Sequence, residues 1–418
     1  RSGAIGGQAA GNIAVSGSLT VNQIIADQGG RITDADIDAN SVRVKALGDR
    51  SIWSLAGSFG GSGSTAVGFA GAVNTIKGTR QALVQESTLA YADGVDERAD
   101  QLTIAAGGSD GGNSEILSAA VAGSGSGSTS VGGALTVNTL LRSDKARLVS
   151  STVDAQRLAV RADRGQSDIY GLAGAAAVGG STGVGAGVST NTISSSRIAR
   201  IEGSDLDVGN SIDVLSATTG TIRAGGVAAA VGGTSGVGGS VTTNVLDATV
   251  EAGIARTRSR DGDQDTRVRA RDAATIQTFA GQVSAGATAG VGAAAGVNRI
   301  GNTVEAYIAG AATDANGNPL AYRGDDITVE AVSRPDIKAT ASGGGGGVAG
   351  VAGSIVANIV TTETRAAIRG GARVVAGDDL VLAARDRARA RLAGGTVAFG
   401  ARAGVGGTGS FNLVQGKT

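Results

Sequence analysis

Cysteine, histidine and methionine are absent from this chain of 418 residues, proline occurs only as Pro319 and Pro335, and ten residues are aromatic. Without cysteine there can be no disulfide, no thiolate nucleophile and no sulfur-ligated zinc; the absence suits secretion but does not by itself assign a compartment. Without histidine, no side chain has an ordinary pKa near neutrality, which removes the commonest general base. So few rings cannot fill several globular cores, and the apolar 41 % is mostly alanine and valine. The expected interior is thin and lined by small side chains, in a narrow, extended body. Scarce proline suits strand ladders, since each proline removes a donor.

Other classes fall with the charge and hydropathy. Lys plus Arg equals Asp plus Glu at 36 each, so no basic excess points to nucleic acid. No apolar run reaches the length of a membrane-spanning helix, and Arg1 does not open a signal peptide, so a soluble piece of a longer chain is expected. Glycine is abundant at 72 residues, yet glycine plus proline is about 18 %, below the level of disordered sequences.

What is present is a repeat. One asparagine recurs as Asn22, Asn74, Asn138, Asn191, Asn244, Asn298, Asn358 and Asn412, at intervals of 52, 64, 53, 53, 54, 60 and 54 residues. Seven residues before each stands a valine: Val15, Val67, Val131, Val184, Val237, Val291, Val351 and Val405. Positions −7, −5, −3 and −1 are largely apolar or glycine, while −6, −4 and −2 are almost all Gly, Ala, Ser or Thr, as in Gly185, Gly187 and Ser189. A period of two is a strand. Its small face is either solvent surface or a place where another sheet approaches closely, and if flat and exposed it would be a lateral contact surface.

After each asparagine the unit continues with a second strand, as in Ser196 to Gly203 with Ile198 and Ile201 as apolar members. A third motif follows, as in Ser204-Asp-Leu-Asp-Val208 with Ile212-Asp-Val-Leu-Ser216. Short strands joined by Gly, Asp and Asn corners, with no helical period, predict an all-β, elongated β-solenoid of about eight units of roughly 54 residues, one continuous array over 1–418. A unit this long predicts two or three rungs per repeat. On that count the asparagines would not lie on adjacent rungs, so they are expected to cap backbone groups rather than one another. Gly-Gly-Ser-Thr corners leave open the alternative of local antiparallel hairpins. The longer intervals hold candidate loops, around Asp93 to Asp100 and Asp314 to Asp326.

Candidate chemistry is sparse. Gly183-x-Gly185-x-Gly187 lacks the following helix of a dinucleotide loop, and Gly416-Lys417-Thr418 lacks the upstream glycine of a P-loop. Asp261, Asp263 and Asp265, and likewise Asp314, Asn316 and Asn318, alternate oxygen ligands as calcium loops do. Thr266 and Pro319 stand where such a loop needs glycine, and no closing glutamate follows. No other cofactor is expected. Asp325, Asp326 and Arg323 offer the residue types of polysaccharide cleavage, but Trp53, Tyr91, Tyr170, Tyr307 and Tyr322 are scattered, so the chain is read as a non-enzyme. Arg323-Gly324-Asp325, on a predicted loop, is a candidate receptor triplet of a kind that arises readily by chance in this composition.

Units such as "VGGSTGVGAGVSTNTISSSRIARIEGSDLDVGNSIDVLSA" resemble the repeats of large bacterial filamentous haemagglutinin-type and leukotoxin-type adhesins, along nearly the whole chain. The resemblance implies a right-handed parallel β-helix secreted by a Gram-negative cell, acting as a rod at the cell surface or in a biofilm matrix. The leading expectation is therefore a structural segment of an extracellular fibre that self-associates head to tail or laterally. The alternative is cell adhesion through the inserted loops, with a host receptor or glycan as partner.

Overall fold

The computed structural model describes residues 1–90, 101–107, 113–163 and 165–418. Among these every regular element is a strand, and nearly all strands join one continuous parallel sheet. The chain is a parallel β-solenoid. The register follows the repeat: Asn22 lies opposite Asn74, Asn74 opposite Asn138, and so on through Asn358 opposite Asn412. Each repeat interval is thus one coil, not two or three rungs. Seven steps of about 4.8 Å separate Asn22 from Asn412, so the stack is only about 34 Å long there. A narrow, extended body was expected; one wide coil per repeat makes a broad, short stack instead.

One coil shows the path. Gln166–Gly179 runs outward, Gly180 and Ser181 turn, and Thr182–Glu202 returns. A corner at Gly203 and Ser204 leads into Asp205–Gly232, whose later part is the outgoing strand of the next coil. The two arms flanking the Gly-Ser turn do not pair with each other; each pairs in parallel with its equivalents above and below. The hairpin alternative therefore does not hold at these turns. The antiparallel pairing among the described residues is Ala312–Thr313 with Pro319–Leu320, inside the sixth interval.

The arms form a thin blade of two sheets, outgoing and returning. Counting from the asparagine, even positions of the returning arm face inward and odd ones outward, so the small residues at −6, −4 and −2 are the blade interior. Of the two readings of the small face, close approach of a second sheet is the one found. A Cβ on Gly185 would stand 2.5 Å from the Ala229 carbonyl oxygen of the opposing sheet, which leaves no room for alanine. The Val184-type file faces out.

Below the blade the coil widens and the core becomes conventional. Two files close its base, Ile52–Ile116–Ile169–Ile222–Ile276–Ile337 and Ile76–Leu140–Ile193–Leu246–Ile300–Val360. The broad half packs branched side chains such as Leu148, Ile201, Ile254, Leu206, Ile212 and Val268. In-register stacking of like residues buries each one against its copy in the next coil, which offsets the ordering entropy of a long coil. Ile201 belongs to this core, whereas Ile198 faces outward and Arg197 takes the inward place beside it. At the corner after the returning arm, Asp34, Glu86, Ser150, Gly203, Arg256, Gly310 and Gly370 all take positive φ, between 48 and 67°. That conformation turns the chain while each amide still bonds to the next coil, as Ser150 N to Glu202 O at 2.8 Å.

Candidate functional site

The eight asparagines stand in one file where the blade meets its base. Asn22 Nδ2 donates to Asn74 Oδ1 at 2.8 Å, and the chain of amide bonds continues at 2.8 to 3.0 Å through Asn138, Asn191, Asn244, Asn298 and Asn358 to Asn412. The expected backbone-capping role is replaced by an amide ladder, because one coil per repeat puts the asparagines on adjacent rungs. A Cβ on Gly171 would lie 2.5 Å from Asn191 Oδ1, so the opposing strand leaves space for the ladder. Thr278 joins it by donating to Asn298 Oδ1 at 2.6 Å and accepting from Asn244 Nδ2 at 2.7 Å.

Four residues beyond the file of Ile76, Leu140 and Ile193 lies a buried charge centre. Asp144 is fully buried, with the guanidinium groups of Arg142 at 2.6 Å, Arg197 at 3.7 Å and Arg80 at 3.9 Å. Arg80, Asp144 and Arg197 share one register position in three successive coils. Burial holds Arg80 and Arg142 down to about 10; repulsion from Arg142 adds to the effect on Arg80, and repulsion from Arg197 to that on Arg142. The arginines also tie down corners: Arg197 donates to the carbonyls of Ala217 and Gly165, Arg142 to that of Gln166 and Arg50 to that of Ala26. The centre is a set of cross-braces. A second buried acid, Asp272, accepts from Asn302 Nδ2 at 2.5 Å and is pushed up to about 7, first by burial and further by Asp386.

The sequence approach missed these charges, although a signal was there. Arg80, Asp144 and Arg197 each follow their asparagine by six residues, an even and therefore inward offset.

The other candidates lie elsewhere and do not converge. Asp314 closes a turn, accepting from the amides of Asn316 and Asn318 and from Asn318 Nδ2, bonds that hold its carboxyl below the ordinary range. Asp261 accepts from the amide of Asp263, and Asp265 pairs with Arg267. Among the described residues no group of three or more acidic ligands converges on one point. Arg323-Gly324-Asp325 is not at a loop tip: Tyr322–Gly324 is a strand paired with Val374–Ala376, with Arg323 and Asp325 exposed and Gly324 buried. Desolvation and then the carboxylates of Asp326 and Asp378 raise Asp325 above its ordinary value. Tyr322 is buried against Thr266, Tyr307 donates to Glu251, and Trp53 carries Arg1 over its ring. The candidate loop at Asp93 to Asp100, and Tyr91 with it, lies outside the described residues.

The two outer faces of the blade differ from the rest of the surface. Across six coils the blade carries no charge, since 51–76, 116–141, 169–196, 224–246, 273–298 and 339–362 contain none; Arg1 and Arg402 are the exceptions in the two end coils. The blade instead exposes Leu55, Phe59, Val121, Leu172, Val227 and Phe279 on the outgoing side, and Val237 (42 % exposed) and Val291 (40 %) on the returning side. Around the broad half, ion pairs link neighbouring coils, such as Glu330 with both Arg271 and Arg385. A shallow furrow at the foot of the outgoing face is lined by Leu117, Tyr170, Leu172, Arg223, Phe279 and Lys338. No family model, curated protein or solved structure matches the chain.

Proposed function

We propose that this chain is a structural repeat region of a secreted bacterial surface adhesin or extracellular fibre, a right-handed solenoid of about eight units of roughly 54 residues. The cell surface or biofilm matrix of a Gram-negative bacterium is its proposed location, and a non-catalytic role is part of the same reading. The single observation that supports it is the unbroken file of bonded asparagines, which repeats one bracing element at each coil. Each coil adds only about 4.8 Å for some 54 residues, so length is obtained only by stacking many.

Electron microscopy of the purified chain over a range of concentrations tests this. Fibres that lengthen with concentration and diffract at about 4.8 Å along their axis support the fibre reading, and particles that stay about 40 Å long at every concentration count against it. A second reading, recognition of a glycan or receptor, is favoured by the furrow where Arg223 lies over the Tyr170 ring and Lys338 stands further along the same file, an aromatic ring with cations in one groove. Binding to a glycan array that is lost on Tyr170→Ala would support that reading.

A further inference from the structure

The returning face of the blade presents five outward positions before each asparagine, from −9 to −1, and none of them in any repeat is charged. The face is mainly apolar, with Thr65, Thr129, Thr182, Thr190, Ser235 and Thr243 as its polar members, and among the described residues no other strand covers it. Its extent is about 34 Å along the stack and about 26 Å along the strands, or about 900 Å². Apolar patches of a few hundred Å² are the usual limit on monomers, whereas about 800 Å² per partner is what a standard specific interface buries. The area is that of an interface.

Its relief is ordered along the stack. The valines at −7 form a straight ridge, position −5 is a groove of Gly17, Gly133, Ala186, Gly239, Ala293, Gly353 and Gly407 interrupted at Phe69, and position −3 carries Leu19, Leu135, Val188, Val241 and Ile355 but is broken at Gly71, Ala295 and Gly409. The outgoing face has no such groove, because large and small residues alternate within one file: Leu55, Ala119, Leu172, Gly225, Phe279. Arg223 and Lys338 also line its foot. A continuous valine ridge beside a groove that stays open from Gly133 to Gly407 is self-complementary under a two-fold axis, as dry interdigitated sheets are.

We infer that two copies of this chain pair laterally through their returning faces, the valine ridge of each lying in the Gly/Ala groove of the other. The pairing deepens the fibre reading, and rests on it in that the partner is a second copy. Uncharged apolar contact makes the pairing insensitive to salt, unlike association through the ion-paired broad half.

Sedimentation equilibrium of the whole chain tests the pairing, with Val237→Lys on the returning ridge and Val227→Lys on the outgoing face as variants. Both side chains point outward, and far-UV circular dichroism checks that both variants fold. The expected result is a dimer for the parent chain and for Val227→Lys, unchanged between about 0.1 and 1 M salt, and at least about tenfold weaker pairing for Val237→Lys. A parent chain that stays monomeric up to about 100 μM, where contacts weaker than about −5.5 kcal/mol are lost, overturns the inference. So does equal weakening by both variants. Should the monomer instead sediment with phosphatidylcholine vesicles, hydrocarbon and not a second copy covers the face. Fibres that lengthen yet stay one stack wide overturn the lateral pairing and leave the fibre reading standing; dimers that never lengthen do the opposite.

Discussion

Two buried carboxylates have opposite effects on stability. Asp144 is the counter-charge to three buried guanidinium groups, so Asp144→Asn leaves them without an anion and is expected to cost about 3–5 kcal/mol in urea unfolding. Asp272 is held at about 7, above its value in an unfolded chain. A raised carboxyl contributes stability that is complete below about pH 4 and is lost as pH rises through about 7. Asp272→Asn keeps an acceptor for Asn302 without the charge. It is expected to flatten the stability curve between pH 4 and 7 and to gain up to about 4 kcal/mol at neutrality. A variant curve parallel to that of the parent would contradict this. The ladder gives a third case: Asn191→Ala leaves Asn138 without its acceptor and Asn244 without its donor, at about 1–3 kcal/mol for each orphan. The asparagine file itself was legible from spacing alone. Its bonding was not, because an interval in residues does not say how many times the chain crosses the stack within it.

At the scale of the strand, composition and burial part company. Alternation marked the strand before each asparagine correctly, but hydropathy does not say which face is inside when the interior is only two backbones thick. Valine is excluded from the blade interior because the sheets approach until Gly185 nearly touches the Ala229 carbonyl. Gly185→Ala is therefore expected to lower stability by about 3 kcal/mol, since backbone and not a pliable side chain must give way. Its neighbour Ala186 faces outward, and Ala186→Val is expected to change stability by less than about 0.5 kcal/mol. Thermal unfolding of both variants checks the pair, and reversed outcomes would mean that the blade is turned inside out. The buried arginines were hidden for the same reason. A charge at an inward phase reads as a surface residue until the coil around it shows carbonyls turned in to receive it.

At the scale of the whole molecule, one coil per repeat sets which insertions and deletions the stack can absorb. Removing Thr182 to Thr234 excises one interval of 53 residues, joining Ser181 to Ser235 at equivalent points of the turn. The outgoing arm from Gln166 then meets the arm that formerly lay two coils away, and Asn138 meets Asn244, so every ladder can close. One contact changes character: Arg197 is replaced beside Asp144 by Val250, while Arg142 and Arg80 remain. Because a solenoid is stabilised mainly by nearest neighbours, the shortened chain is expected to keep its β-sheet circular dichroism per residue and to unfold cooperatively at a lower urea concentration. Removing only Thr182 to Val208 deletes the returning arm, ladder asparagine included, and leaves the outgoing strand with no way back across the blade. That chain is expected to lose the native spectrum or to aggregate through its unpaired strands. If the two deletions were equally tolerated, the coil would not be the folding unit. If the 53-residue deletion alone failed, contacts beyond the adjacent coil would be holding the stack together.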